Sequence, residues 1–209
     1  MTYSRLSAPD LILSENPNEL RESVRRAYSA AANAPKDKHP FPVGAAFARE
    51  LGYPQELLDR ISRESTDAFA GVSSVSIQAP LREGVLVLDL GCGAGLDSLV
   101  AAAQVGLQGR VIGIDFSESM LNRAKRSAHT SGHCNVLFLR ASAEQLPLQD
   151  SRVDVALVNG IFNLNPFRER IFHELFRVLR PGGQVFGAEL ILKSTLPEHL
   201  QSGSANWFS

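Results

Sequence analysis

Asp89, Gly91, Gly93, Gly95 and Asp115 are the residues whose types and spacing point most directly to chemistry. Glycines at every second position make a turn at which a ligand can approach the main chain, and a helix starting there offers free N–H groups. The dinucleotide fingerprint G-x-G-x-x-G wants a small residue at position 96, and Leu96 stands there instead. Asp89, two residues ahead of the first glycine, repels a pyrophosphate but suits a cation. Asp115 closes a second apolar run, the place where nucleoside-binding α/β folds keep an acid for the ribose hydroxyls. The chemistry implied is the holding of a nucleoside that carries an amine and a sulfonium.

These residues need a frame. Residues 85–88 form a continuous apolar run, as in a strand buried on both faces, and Leu96, Leu99, Val100 and Ala103 follow at helical spacing. Residues 110–115 read as a second strand. Ser117 caps the next helix, whose apolar stripe is Met120, Leu121, Ala124 and Ala128. Residues 136–139 and 153–158 read as the third and fourth strands. The fourth ends at Asn159-Gly160, where a substrate cleft should open. Phe167, Ile171, Phe172, Leu175, Val178 and Leu179 mark an amphipathic helix, Pro181-Gly182-Gly183 a turn, and residues 184–192 a fifth strand. The alternation predicts an α/β fold: a doubly wound, mostly parallel, Rossmann-like sheet of order 3-2-1-4-5. Its switch point lies at the carboxyl ends of strands 1 and 4.

Ahead of this core, residues 1–16 read as irregular. Asn18 is expected to cap a helix over 19–32, with short helices over 43–51 and 54–61. Residues 65–78 are small, too polar for core and too apolar for a linker. The expected organisation is an N-terminal helical extension (1–80), a core (81–192) and a short tail (193–209).

The chain has 209 residues, 44% of them hydrophobic, enough for one α/β domain and an extension. Net charge is −1, which disfavours nucleic acid as a partner because phosphate binding needs a basic face. The first thirty residues hold no apolar h-region, and no apolar run approaches membrane-spanning length. Two cysteines make no disulfide framework. No metal site is expected. A cytoplasmic enzyme acting on a small molecule is the default expectation.

With these residues in view, the chain resembles the class I S-adenosylmethionine-dependent methyltransferases, whose first motif has the form of residues 89–97. The resemblance implies S-adenosylmethionine as cofactor. It places Asp89, Gly91, Cys92, Gly93 and Gly95 around the amino-acid end and Asp115 on the ribose. Phe116, Met120, Ala143 and Glu144 fall at the adenine, and Asn159 at the mouth. It also implies an N-terminal lid over the cofactor, to which Tyr28 and residues 69–72 belong. The segments 50–54, 89–97, 111–115, 163–166 and 178–183 narrow the resemblance to the arsenite methyltransferase-like branch.

That branch sets thiolates in the small-residue segment before the first strand and just after the fourth. Here those places hold Ser73-Ser74 and Asn159-Gly160. Trivalent arsenic is soft and is not held by hydroxyls or carboxylates. Cys92 and Cys134 are expected at opposite edges of the sheet, roughly 17–20 Å apart, too far to share a metalloid. Arsenite is therefore not the expected substrate.

In-line methyl transfer asks for alignment and exclusion of water more than for a general base. The polar candidates around the cleft are Asn159, Asn163, Asn165 and Glu189. Three functional readings follow: a methyltransferase for a small molecule, a quinone-type C-methyltransferase, which would need an apolar channel, and a cofactor-binding protein without turnover. Family members continue after strand 5 with a helix and an antiparallel strand pair. With that pair missing here, strand 5 is expected to be an exposed edge that forms a homodimer or leaves the fold marginally stable, and Trp207-Phe208 to seek a packing surface.

Overall fold

A computed structural model of the protein describes residues 17–191. Five strands, β1 (Leu86–Leu90), β2 (Arg110–Asp115), β3 (Val136–Arg140), β4 (Val153–Asn159) and β5 (Leu179–Ala188), form one parallel sheet of order β3-β2-β1-β4-β5. The central β1 runs parallel to both β2 and β4, with Leu90 opposite Ile114 and Val158. All strands therefore end on one edge. Val87, Leu88 and Leu90 are fully buried, as an apolar run in the middle of a covered parallel sheet requires.

Helices cover both faces. Those described are α1 (Pro17–Asn33), α2 (Ala45–Glu50), α3 (Gln55–Leu58), α4 (Arg63–Thr66), α5 (Val75–Gln78), α6 (Leu96–Val105), α7 (Glu118–Thr130) and α8 (Arg168–Val178). Leu96, Leu99, Val100 and Leu121 pack with Phe138 under the N-terminal helices, joined by Tyr53 and Phe69. Ile171, Leu175 and Val178 of α8 meet Leu88, Leu90, Ile114 and Val158 on the other face. Ser117 caps α7, its Oγ accepting from the Met120 N–H at 3.4 Å.

Several expectations need correction. α1 starts at Pro17, so Asn18 lies inside its first turn rather than ahead of it. The segment 65–78, expected to be neither core nor linker, contains α5 and the end of α4 and is largely core: Ser65, Thr66, Phe69, Ser74, Val75 and Ser76 are all buried. Pro181-Gly182-Gly183 does not separate α8 from β5. It is an irregularity inside β5: Leu179 pairs with Val153 before it and Gln184 with Val155 after it. Such a site suits a proline, because an edge strand has no second neighbour to receive its missing N–H. β5 ends at Ala188, not at 192. Among the described residues β5 pairs only with β4, and Val185 and Leu190 are exposed while Phe186 is half-buried against the core. Trp207 and Phe208 lie outside the described residues. Among the described residues no helix is long and apolar enough to cross a membrane.

Candidate functional site

A cleft of about 1060 Å³, its open mouth included, lies along the carboxyl ends of β1, β2 and β4. Its floor is the glycine turn. The Gly91 and Cys92 N–H groups donate to the Ile114 carbonyl at 2.8 and 3.0 Å, which bends the chain sharply off β1. Gly91 is left-handed (φ +75°), and a Cβ there would land 2.3 Å from Ile161 Cγ2. Gly93 is left-handed too, but its Cβ would meet nothing within 4 Å: this stretch of main chain faces the open cleft.

Asp115 is buried at the end of β2. Its Oδ2 accepts the Gly93 N–H at 2.9 Å and its Oδ1 the Ser117 N–H at 2.7 Å. Each oxygen keeps lone-pair capacity for one hydroxyl of a vicinal diol. Burial lifts its carboxyl to about 6, against the main-chain donors that favour the anion. Asp89, at the end of β1, accepts from Ser98 Oγ at 2.5 Å. Burial, with Asp97 and Asp115 nearby, pushes its carboxyl up to about 8. Among the described residues no Lys or Arg acts on either acid, and a cationic ligand group would supply what they lack. The cleft thus fits a nucleoside with a cationic tail.

Of the residues expected at the cofactor, Asp89, Gly91, Cys92, Gly93, Asp115, Phe116, Met120, Ala143, Glu144 and Asn159 line the cleft. Gly95 does not. It is the left-handed N-cap of α6 (φ +86°), and a Cβ there would press on Phe138 Cζ at 2.9 Å and Ala124 Cβ at 3.0 Å. Its role is helix packing. Cys92 is buried, and burial together with Asp89 and Asp115 holds its thiol protonated. Glu144 is fully engaged, accepting from Asn165 Nδ2 at 2.8 Å and from Ser142 Oγ, with Arg21 of α1 at 3.8 Å.

The polar candidates for the reaction separate into different roles. Asn159 Oδ1 accepts from the Val72 and Ser73 N–H groups at 2.8 and 3.2 Å, and its Nδ2 donates to the Ser73 carbonyl and to Asp97 Oδ2, both at 2.8 Å. Its amide is saturated and is not free to act on an acceptor. Asn163 and Glu189 lie off the lining. Glu189 accepts from the Phe162 N–H at 2.7 Å and the Asn163 N–H at 3.4 Å, and Asn163 Nδ2 donates to the Leu190 carbonyl. Both shape the turn after β4. Arg21, Asp97 and Asn165 also line the cleft. Of these, Asn165 was already among the polar candidates, and Asp97 carried a signal, being the acid that closes the glycine motif. Arg21 reaches Ser142 across 121 positions, a pairing no local pattern announces.

The residue facing Gly160 is Val72, not Ser73 or Ser74. A Cβ on Gly160 would sit 3.0 Å from Val72 Cγ1, while Ser73 and Ser74 receive hydrogen bonds from Gln78. Where thiolates were looked for, the wall is an aliphatic side chain against bare main chain. Cys134 is exposed just before β3, at the far edge of the sheet from Cys92.

Comparisons agree with this geometry. A protein family described as "Methyltransferase domain" matches residues 81–208. The arsenite methyltransferase of Halobacterium salinarum is 31% identical over 206 residues, covering 91% of this chain and 52% of that protein. The demethylmenaquinone methyltransferase of Lactococcus lactis is 37% identical over 119 residues, covering 57% of this chain and 47% of that one. An arsenic(III) S-adenosylmethionine methyltransferase from Chlamydomonas reinhardtii superposes with a TM-score of 0.58 at 31% identity, covering 76% of this chain and 53% of that structure. The chain spans about half the length of the curated relatives it matches. A sheet of this order, a cleft of this chemistry and a family match over more than half its length agree: the chain belongs to the class I S-adenosylmethionine-dependent methyltransferases and is related to their arsenite branch.

Proposed function

We propose that this chain methylates a small molecule by in-line displacement, with S-adenosylmethionine as the donor. The observation that carries the reading is the convergence of Asp89, Asp115 and the open main chain at Gly93 on one cleft without a paired cation. When bound, S-adenosylmethionine supplies an electrophilic methyl group on a sulfonium. Asp115 would take the ribose hydroxyls, Asp89 would face the amino-acid end, and Phe116, Met120 and Ala143 would flank the base. Phe69, Gly71, Ile161 and Leu164 line the remaining wall and would keep water from the methyl group. That wall offers no ready base: Tyr28 has its hydroxyl pushed well above the ordinary value by burial, and the Cys92 thiol stays protonated. The acceptor would bring its own nucleophile, and alignment would carry the rate.

Arsenite does not suit this wall, since Val72 and Gly160 offer no soft ligand. The quinone-type C-methyltransferase reading is supported by the apolar side chains at Phe69, Ile161 and Leu164, the surface such a substrate would need. Incubation with labelled S-adenosylmethionine and a metabolite extract, followed by identification of labelled products, tests the proposal. Labelled small molecules are expected. Cofactor binding with no labelled product from extracts or quinols would favour a binding protein without turnover.

A further inference from the structure

We propose that Asp97 is a positioning residue: acting through Asn159, it holds the segment 69–74, whose Phe69, Ala70 and Gly71 line the cleft, as part of the acceptor-side wall. Asp97 opens α6 directly after the glycine turn and is buried. Its Oδ1 accepts from Tyr53 Oη at 2.5 Å, from the Ser76 N–H at 3.0 Å and from Ser76 Oγ, while its Oδ2 accepts from Asn159 Nδ2 at 2.8 Å. One carboxylate thus gathers donors from the turn after α2, from α5 and from the end of β4. Among the described residues it has no cationic partner, and neutral donors satisfy its oxygens.

Besides these bonds, the Gly44 N–H donates to the Phe69 carbonyl at 2.9 Å and Tyr53 Oη to the Ser73 carbonyl at 3.4 Å. Residues 69–74 adopt neither helix nor strand. Their main chain is tied to β4 through Asn159, which accepts from the Val72 and Ser73 N–H groups and donates to the Ser73 carbonyl. Gly71 is packed so closely on this amide that a Cβ would fall 2.5 Å from Asn159 Nδ2. The amide orientation of Asn159 decides whether the wall is held. With Nδ2 toward Asp97, Oδ1 faces two main-chain donors. Reversed, Oδ1 would face the carboxylate and Nδ2 would face N–H groups. Asp97 fixes the orientation in which the wall is bonded.

The significance for an acceptor rests on the methyltransferase reading; the relay itself does not, and its test needs neither cofactor nor acceptor. The reporter is the Val72→Cys/Gly160→Cys pair. A Cβ on Gly160 lies 3.9 Å from Val72 Cβ, within the spacing a disulfide needs. In this background the two thiols should pair rapidly under a mild oxidant, read as loss of free thiol and a mass shift. Asp97→Asn puts an amide donor against Asn159 Nδ2 and should slow pairing about tenfold or more. Asn159→Ala, which removes the wall's bonds directly, should slow it to the same extent. The double exchange Asp97→Asn/Asn159→Asp returns an acceptor to the Val72 and Ser73 N–H groups, though not the donor to the Ser73 carbonyl, and should restore part of the rate. Circular dichroism of each variant shows that the sheet is intact. Unchanged pairing in Asp97→Asn overturns the proposal, whatever Asn159→Ala does. So does slow pairing that the double exchange fails to recover, because mere loss of folding would give that result.

Discussion

Asp115 offers the sharpest quantitative test of the cofactor site. It titrates at about 6 because it is buried, yet both oxygens already accept a main-chain N–H. Diol hydroxyls can donate only to the anion without losing a bond, so binding should require ionised Asp115. A carboxyl with a pKa of about 6 is roughly nine-tenths ionised at pH 7 and roughly one-tenth at pH 5. The dissociation constant for S-adenosylhomocysteine should therefore rise about tenfold across that interval. Asp89, at about 8, must also give up its proton to meet a cationic amino-acid end, which steepens the rise beyond the share of Asp115. Asp115→Ala removes hydrogen bonds to a charged group, worth about 1.5–3 kcal/mol, and should weaken binding roughly ten- to a hundredfold at pH 7. It should also lessen the pH dependence, leaving the part that belongs to Asp89. Calorimetry at several pH values measures both effects. An affinity that does not change between pH 5 and 7, or an unchanged slope in Asp115→Ala, would refute the assignment.

The same two acids set the stability of the ligand-free protein. Both folded-state values are raised above the ordinary 3.8, so the folded state should lose stability as pH climbs from about 4, the share of Asp115 being lost by about 6 and that of Asp89 by about 8. About 3 kcal/mol of this belongs to Asp115, and melting temperatures recorded from pH 4 to 8.5 should fall accordingly. Gly93→Val should abolish cofactor binding because its Cβ would project into open cleft, and its left-handed backbone should also cost about 1–3 kcal/mol of stability; near-normal affinity by calorimetry would contradict this. Gly95→Ala should instead destabilise the protein by about 1–3 kcal/mol in urea unfolding, because its Cβ meets Phe138 and Ala124 in a left-handed backbone. Incubation with arsenite, a thiol and S-adenosylmethionine should yield no methylarsenicals at multiple turnovers, as judged by mass spectrometry. Pairing through the β5 edge predicts a dimer in sedimentation that Val185→Lys disperses, and a monomer in the parent protein would dispose of it.

Much of the frame was legible because its signals are local. The run before Asp89 could only be a covered strand, and Ser117 ahead of an apolar stripe could only open a helix. Pro181-Gly182-Gly183 misled because a turn signal does not tell whether pairing resumes beyond it. The cleft was legible where local motifs carry it: Asp89 with Gly91 and Gly93 forms one strand end and its turn, and Asp115 closes the next strand. The separate roles of Asn159, Asn163 and Glu189 were not legible. Polar side chains after a strand look alike in sequence, and what separates them is which main-chain groups lie within reach. The small residues of 65–78 looked unfit for a core because the acceptors that satisfy them, Asp97 and Asn159, lie far along the chain.

The bonds that close the cleft also constrain the order in which the molecule can fold. Asn159 reaches Val72 across 87 positions, Arg21 reaches Ser142 across 121, and Arg123 reaches the Ala32 carbonyl across 91. Loops of that length close at an entropic cost that only an assembled partner surface repays. The strands and α6–α8 must already stand before the N-terminal layer can dock. Native hydrogen exchange should find that layer opening independently, at lower free energy than β1 and β4. Ligand binding would then report the last event of folding rather than the first.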